Sequence, residues 1–319
     1  MVDKLLEKVE KQESLTKEEI IELLKIKNGS KEYYELLGIA NRDARKRFKG
    51  KGFIFAQVGI NASPCPANCA FCSLAKDVFN PENSFELECS NIKEIVKEKI
   101  DENVDEIFLM TTADYNSEQY LEYGAKIHRV MPKGMRLVAN IGDFDLAYAK
   151  RLKEAGFTGV YHICRLGEGK DTLLEPKTRI KTLDAIRDSG LEMYYCVEPI
   201  GPEHTYEEIA GEILRGREYN AHVMAVMKRV CVPNTQLYSR GEISAAELAK
   251  ICAITELVVK PLRAMGVHEP DELCLMSGAN QIYAEVSANP RDVSLKTEMS
   301  RGASMERAAR MLTTAEWNV

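Results

Sequence analysis

Residues 179–197 read RIKTLDAIRDSGLEMYYCV, an amphipathic segment followed directly by a short apolar run. This arrangement predicts a helix and then a buried strand. The same alternation extends from Gly52 nearly to the end of the chain, without a Pro/Gly/Ser-rich linker, a low-complexity tract or an internal repeat. Repeated strand–helix units of this kind predict an α/β fold built on a parallel sheet.

Eight apolar runs are candidate strands, and helical segments separate most of them. They span residues 53–60, 104–110, 135–141, 159–164, 191–197, 222–230, 264–268 and 279–286. Eight such units in 319 residues predict one (β/α)8 TIM-type barrel. We expect a helical lead-in over 1–50, the barrel over 51–300, and a C-terminal tail over 301–319 that packs on the barrel.

The lead-in carries its own start signal for a helix. Thr16 is followed by Glu19 three residues later, which predicts a capping box at the start of a helix. The weakest part of the barrel pattern lies near its closure, where the helical segment after Val267 is short. The seventh and eighth units are therefore where an irregular closure is expected.

Charge and apolar patterning disfavour several classes of protein. The chain has 43 Lys and Arg against 49 Asp and Glu, a formal charge of -6, which disfavours nucleic acid and anionic membranes as partners. Neither a signal core nor an apolar stretch long enough to span a membrane is present. We expect a cytoplasmic protein, in which nine reduced cysteines serve metal ligation, catalysis or packing.

Three of these cysteines lie together in the stretch SPCPANCAFCS, residues 63–73, directly after the first predicted strand. Cys65, Cys69 and Cys72 have the spacing C-x3-C-x2-C, on the face where barrel enzymes carry their chemistry. A structural zinc ion would need a fourth ligand, and the nearest downstream histidine is His128. Three thiolates suit a [4Fe-4S] cluster with one open iron. Zinc and plain burial are the alternatives.

The motif, with an aromatic residue before its last cysteine, resembles that of the radical S-adenosylmethionine (SAM) superfamily. The resemblance implies that Cys65, Cys69 and Cys72 hold a [4Fe-4S] cluster whose open iron chelates SAM. An electron from the cluster would then split SAM to a 5′-deoxyadenosyl radical. By its place in the motif, Phe71 would lie beside the adenine.

Further segments, from about residue 15 to 300, resemble biotin synthase and its relatives. Arg179 matches a family arginine that pairs with the SAM carboxylate, and a guanidinium suits a carboxylate because it can bind both oxygens. Arg165 and Glu168 resemble the Arg and Glu that the hydrogenase maturase HydE uses.

The segment MTTAD, residues 110–114, occupies the place of the motif that receives the SAM ammonium group in the family. It departs from the usual Gly-Gly-Glu. Its candidate SAM contacts are Thr111, Thr112 and Asp114.

The chain also departs from biotin synthase where that enzyme carries a second cluster. Leu109, Ala139 or a neighbour, and Tyr194 stand at the places of its cysteine ligands. The resemblance therefore favours single-cluster relatives: HydE, methylornithine synthase and HmdB. It implies hydrogen abstraction from a small-molecule substrate in cofactor or metabolite biosynthesis, with flavodoxin or ferredoxin as the electron donor.

Two other functions remain as alternatives. One is sulfur insertion of the biotin- or lipoyl-synthase type, which uses an auxiliary iron-sulfur cluster. Cys164, Cys196 and Cys231 lie near predicted strand ends and are candidates to hold it, with inert packing as the other interpretation. The second alternative is a non-catalytic metal or iron-sulfur scaffold protein.

Several polar residues near strand ends are candidates to line a substrate pocket. They are Asn140, Lys228, Arg229, Cys231 and His268. His162 and His204 are interpreted as structural or supporting residues, because no Cys-His pair or triad is evident around them.

Overall fold

The computed structural model describes residues 2–100, 103–286 and 303–319 and contains a closed barrel of eight parallel strands. The barrel strands are β1 (Phe53–Gly59), β2 (Glu106–Met110), β3 (Arg136–Asn140), β4 (Gly159–Tyr161), β5 (Glu192–Ile200), β6 (Val223–Lys228), β7 (Ala264–Val267) and β8 (Gln281–Glu285). Each strand pairs with its neighbours in chain order, and β8 pairs with β1. The predicted (β/α)8 barrel is confirmed.

All eight predicted strands are present, with small differences at their ends. β5 continues to Ile200, three residues beyond its predicted end, and β4 stops at Tyr161, three residues early. The closure expected to be irregular is complete, because Gln281 and Ile282 pair with Gly266 and Val267. Outside the barrel, a short ribbon pairs Asn61–Ala62 with Phe85–Glu86.

Helices alternate with the strands. Three precede the barrel: α1 (Val2–Glu10), α2 (Lys17–Leu24) and α3 (Lys31–Arg47). The others are α4 (Cys89–Lys99), α5 (Ser117–His128), α6 (Leu146–Glu154), α7 (Pro176–Ser189), α8 (Tyr206–Glu218), α9 (Ala245–Val259), α10 (Glu272–Leu275) and α11 (Met305–Thr314). As the sequence predicts, the helix after β7 is short.

The N-terminal helices pack onto the barrel helices, α2 against α8 and α3 against α9. The predicted capping box is present: Thr16 Oγ1 accepts from the Glu19 amide at 3.3 Å, and the Glu19 carboxylate accepts from the Thr16 amide at 2.8 Å. At the other end α11 packs on β8 and β1, and the Trp317 indole donates to the Leu275 carbonyl. The predicted boundary between barrel and tail, at residue 300, lies outside the described residues.

The barrel interior is filled by an aromatic layer formed by Phe55, Phe108, Tyr194 and Tyr283. Their ring centroids lie 5.2 to 6.4 Å apart, mostly edge to face. One level closer to the carboxyl end, three smaller residues lie side by side in register on β5, β6 and β7: Cys196, Ala225 and Gly266. The Gln281 side chain of β8 fills the space beside Gly266, where an added Cβ atom would lie 2.1 Å from its amide oxygen.

Within the described part of the chain, none of the helices combines the length and the apolar composition needed to cross a membrane.

Candidate active site

A main cavity lies at the carboxyl end of the barrel. Its volume is about 130 Å³. Its lining includes most of the predicted cluster and SAM residues together with polar residues of the inner strands. These are Cys65, Cys69, Cys72, Thr111, Thr112, Asn140, Tyr161, His162, Arg165, Arg179, Glu198 and His268.

The cysteine loop is held in place by backbone hydrogen bonds to other loops at this end. The Ala70 amide donates to the Asp171 carbonyl at 2.8 Å, in the loop after β4. The Ala70 carbonyl accepts from the Leu237 amide at 3.0 Å, and the Cys65 amide donates to Leu74 at 2.8 Å. The loop contains no helix or strand, and these bonds hold it so that all three thiols line the cavity.

The donor set fits a cluster better than a single ion. Among the described residues, the sulfur atoms of Cys65, Cys69 and Cys72 do not all lie within 4.8 Å of one another. A tetrahedral zinc ion with bonds of about 2.3 Å would bring its thiolates to about 3.8 Å. Burial raises the pKa of Cys69 to about 12, although the Arg165 guanidinium lowers it in part, so ligation there would release a proton.

Two arginines reach the cavity from the segment after β4. The Arg165 guanidinium lies 3.7 Å from both the Glu168 and the Glu198 carboxylates. Arg179, only 5% exposed, donates to the Ile163 carbonyl at 2.9 Å and lies 3.6 Å from Glu168. Because these arginine–glutamate separations exceed hydrogen-bond length, both guanidiniums keep donors that can bind an anionic ligand.

Asp143 contacts both Arg179 and His162. Asp143 accepts from Arg179 at 3.0 Å and lies 3.1 Å from the His162 imidazole. Burial opposes ionisation of Asp143, but His162 and Arg179 more than offset it and lower its pKa to about 2. Burial, with the Arg179 charge, lowers the pKa of His162 to about 3, so the imidazole is neutral near pH 7.

The segment after β2 forms another wall of the cavity. Thr112 is buried, and its amide and hydroxyl bond to the Asn61 side chain at 3.1 and 2.8 Å. Gly142, after β3, packs on the neighbouring Ala113, where a Cβ atom would lie 2.1 Å from the carbonyl oxygen. Asp114, predicted as a SAM contact, is exposed and lies outside the lining of the main cavity.

Phe71 lies in a smaller side cavity that adjoins the main one. Its other lining residues include Pro199, Met227, Val230 and Val232, and Cys72 and Glu198 line both cavities. The side cavity is therefore mostly apolar and is located directly beside the cysteine loop. A flat, weakly polar ring such as adenine suits this environment.

The inner wall contains residues that the sequence interpretation missed. Tyr161, at the end of β4, donates its hydroxyl to Glu198 Oε2 at 2.7 Å, and both side chains line the main cavity. Glu198 follows Cys196 by two positions on β5, a spacing that places both on one face of a strand. That spacing was the available signal, but the predicted strand ended at residue 197.

Three predicted substrate residues are placed elsewhere. Lys228 pairs with Glu242 at 3.1 Å, and the Cys231 amide donates to the same carboxylate. Neither lines the main cavity. Arg229 is buried in contact with the Glu203 carboxylate and lines only the side cavity. All three lie at or just beyond the carboxyl end of β6, where contacts with Glu203 and Glu242 fix their positions.

The three cysteines considered for an auxiliary cluster have separate environments. The charged groups near Cys164 are Glu212 and Arg215, with Glu168 and Arg179 contributing less. Those near Cys231 are Glu242 and Arg229. Cys196 faces the barrel interior, near Glu198 and His268. An auxiliary cluster held by all three is therefore not supported.

No family model matches the chain, whereas individual relatives do. Biotin synthase from Clostridioides difficile (strain 630) is 23% identical over 265 residues, which cover 80% of this chain and 81% of that protein. The crystal structure of methylornithine synthase (PylB) superimposes with a TM-score of 0.83 at 16% identity, covering 97% of this chain and 95% of that chain. That of HydG, a maturase of the [FeFe]-hydrogenase, gives 0.82 at 14%, covering 98% and 74%.

The solved structures show the likeness in fold, and biotin synthase shows the likeness in sequence. This chain is therefore similar in sequence to biotin synthases and in fold to methylornithine synthase and HydG, and its three clustered thiols line the same cavity as Arg165 and the buried Arg179.

Proposed function

We propose that the protein reductively cleaves SAM at a [4Fe-4S] cluster and uses the resulting 5′-deoxyadenosyl radical to abstract hydrogen from a small-molecule substrate in cofactor or metabolite biosynthesis. One observation carries the proposal: Cys65, Cys69 and Cys72 line the same cavity as the guanidiniums of Arg165 and Arg179. The cavity thus combines a set of iron ligands with a binding site for a carboxylate.

Different side chains would contact the cluster and the different parts of SAM. The three thiolates hold the cluster, and Arg179, supported by Asp143 and Glu168, binds the SAM carboxylate. Thr111 and Thr112 lie on the wall where the ammonium group would be received. Phe71 and the apolar residues of the side cavity flank the adenine.

The substrate would occupy the inner part of the cavity. Asn140, Tyr161 and His268 offer polar contacts there, next to the aromatic layer. A buried wall with a few polar groups suits a small polar molecule and keeps water from a reactive carbon. The electron would come from flavodoxin or ferredoxin.

Sulfur insertion with an auxiliary cluster is the weaker candidate. Leu109 and Ala139 are buried at the places where biotin synthase has cysteine ligands, and Tyr194 belongs to the aromatic layer. About four irons per reconstituted chain would support the single-cluster reaction, and about eight would support the alternative.

The decisive test is anaerobic incubation of the reconstituted protein with dithionite and SAM, followed by chromatographic detection of 5′-deoxyadenosine. We expect production by the unaltered protein and none by Cys69→Ala, because that variant loses a cluster ligand. Cys252→Ser is the matched control, since Cys252 is also buried but lies in α9. A brown protein that leaves SAM intact would instead support a scaffold function.

A further inference from the structure

A second group of metal-ligating side chains lies deeper in the barrel than the cysteine loop. Ligand atoms of Cys196, Glu198 and His268 all lie within 4.8 Å of one another. The three residues are 1%, 5% and 4% exposed. A thiol, a carboxylate and an imidazole are all ligands of divalent metal ions in proteins.

The strand geometry explains how they meet. Cys196 and Glu198 are two positions apart on β5 and therefore face the same way. His268 directly follows β7, and its amide bonds to Val226 of β6. β6 and β7 carry Ala225 and Gly266 at the level of Cys196, so no large side chain of these two strands lies at that level.

We propose that Cys196, Glu198 and His268 form a mononuclear site for a divalent ion of the zinc class. Cysteine, histidine and glutamate are all zinc ligands, and zinc sites with three protein ligands keep a fourth position open. Glu198 and His268 line the main cavity, so the open position faces the substrate space. The site would bind an anionic oxygen or sulfur group of the substrate.

Neighbouring side chains hold two of the ligands in orientation. The Tyr161 hydroxyl donates to Glu198 Oε2 at 2.7 Å, while Arg165 lies 3.7 Å from Oε1. The His268 ring stacks on Tyr283 with centroids 4.0 Å apart. Such outer contacts are typical of metal ligands, because they limit the rotation of carboxylates and imidazoles.

Charge and protons balance at this site. Binding of the ion requires the Cys196 thiolate, so one proton is released to solvent for each ion bound, with no change in oxidation state. The thiolate and the Glu198 carboxylate together offset the two positive charges of the ion. Arg165 shares its own charge with Glu168, 3.7 Å away.

Cobalt(II) tests the site without iron or SAM. The full-length variant Cys65→Ala/Cys69→Ala/Cys72→Ala, which lacks the cluster ligands, is titrated with Co²⁺ under anaerobic conditions. We expect one ion per chain and a thiolate-to-metal charge-transfer band in the near ultraviolet. In this background Cys196→Ser should remove the band and weaken binding at least about 10-fold. Glu198→Gln and His268→Gln should keep the band and weaken binding by a similar factor.

Cys164→Ser is the matched control, because Cys164 is also buried but does not belong to the group formed by Cys196, Glu198 and His268. It should leave both band and affinity unchanged. Absence of the band, or its persistence in Cys196→Ser, overturns the proposal. If the triple variant does not fold, the zinc content of the intact reconstituted protein is compared with that of Cys196→Ser, and equal contents overturn it. Neither measurement depends on SAM cleavage. A negative result would therefore overturn the metal site and leave the proposed SAM cleavage untouched.

Discussion

The two ends of the barrel bury charged side chains in different ways. At the amino end, Glu106 is fully buried in contact with the Arg263 guanidinium. Arg263 also lies 3.6 Å from Glu192, which accepts a hydrogen bond from Arg136 at 2.7 Å. Each charge there has a protein partner, beneath the aromatic layer.

At the carboxyl end, Arg179 has one close partner, Asp143 at 3.0 Å, but the contacts of Arg165 and Arg179 with the cavity glutamates are longer. Arg165 and Arg179 share Glu168 at 3.7 and 3.6 Å, and both guanidiniums line an open cavity. Tight pairing uses up the donors of a guanidinium, whereas loose pairing keeps them for a ligand. The amino end thus pairs its charges within the protein, and the carboxyl end keeps guanidinium donors for a ligand.

The largest effect is expected for Arg179→Met, at the carboxyl end. Removal of this guanidinium should raise the dissociation constant for SAM by about 100-fold, because a buried charge partner is lost. Isothermal titration of the reconstituted protein measures the change. Arg215→Met is the control, since Arg215 pairs with Glu212 within α8, and it should bind SAM as the unaltered protein does. Equal affinities for both variants would contradict the assignment of Arg179.

Arg263→Met is the corresponding change at the amino end. It leaves Glu106 buried without its guanidinium, so the free energy of unfolding of the cluster-free protein should fall by about 3 kcal/mol. The affinity of the folded, reconstituted protein for SAM should not change. Chemical denaturation measures the first quantity. The exposed pair of Arg187 with Asp184 provides the control, because Arg187→Met should cost under about 0.5 kcal/mol.

The two ends should also respond to pH with opposite signs. Burial raises the pKa of Glu106 from 4.5 to about 7, although Arg263 opposes the shift. The folded protein then holds this proton more tightly than the unfolded chain, so the contribution of Glu106 to stability is lost as pH rises from 4.5 to about 7. Burial lowers the pKa of His162 from 6.5 to about 3, so its contribution is present above 6.5 and is lost as pH falls.

Between pH 4.5 and 6.5, Glu106→Gln should therefore make the free energy of unfolding rise more steeply with pH, and His162→Gln should make it rise less steeply. Each change should amount to about 2 kcal/mol across the window. Denaturation curves at several pH values give these slopes. Slopes that shift in the same direction would show that the two groups do not titrate as their environments predict.

The smallest effect is expected for Lys228→Met, which removes an ion pair at the rim. The pair with Glu242 is partly exposed, so the free energy of unfolding should change by under about 1 kcal/mol. SAM cleavage should be unaffected, because Lys228 lies outside the lining of the main cavity. A large loss of cleavage would restore the sequence-based assignment of Lys228 to the substrate pocket.

Local signals were sufficient for much of the fold. Apolar periodicity predicted all eight strands, and the spacing of Thr16 and Glu19 predicted a capping box that is present. The same reasoning did not predict the end of β5, which continues through Glu198 to Ile200. The apolar run there is interrupted by a carboxylate, and only pairing with β6 shows that the strand continues.

The site was predictable where one motif contains all its residues. Cys65, Cys69 and Cys72 lie within eight positions of one another, so their proximity does not depend on the rest of the fold. Lys228 and Cys231 are predicted pocket residues because they lie close to a strand end, and in the structure both lie beside Glu242, outside the lining of the main cavity. Side-chain direction past the end of a strand depends on loop geometry, which the sequence pattern does not specify.

By itself, the sequence determined the strand–helix alternation and the three-thiol loop, because both depend on the spacing of neighbouring residues. Only the tertiary structure decided which distant side chains meet. Cys196 and Glu198 lie some seventy positions before His268, and barrel closure brings their ligand atoms within 4.8 Å. The physical reason is that the strand order and register of a closed sheet set these distances, and both arise from packing of the whole barrel.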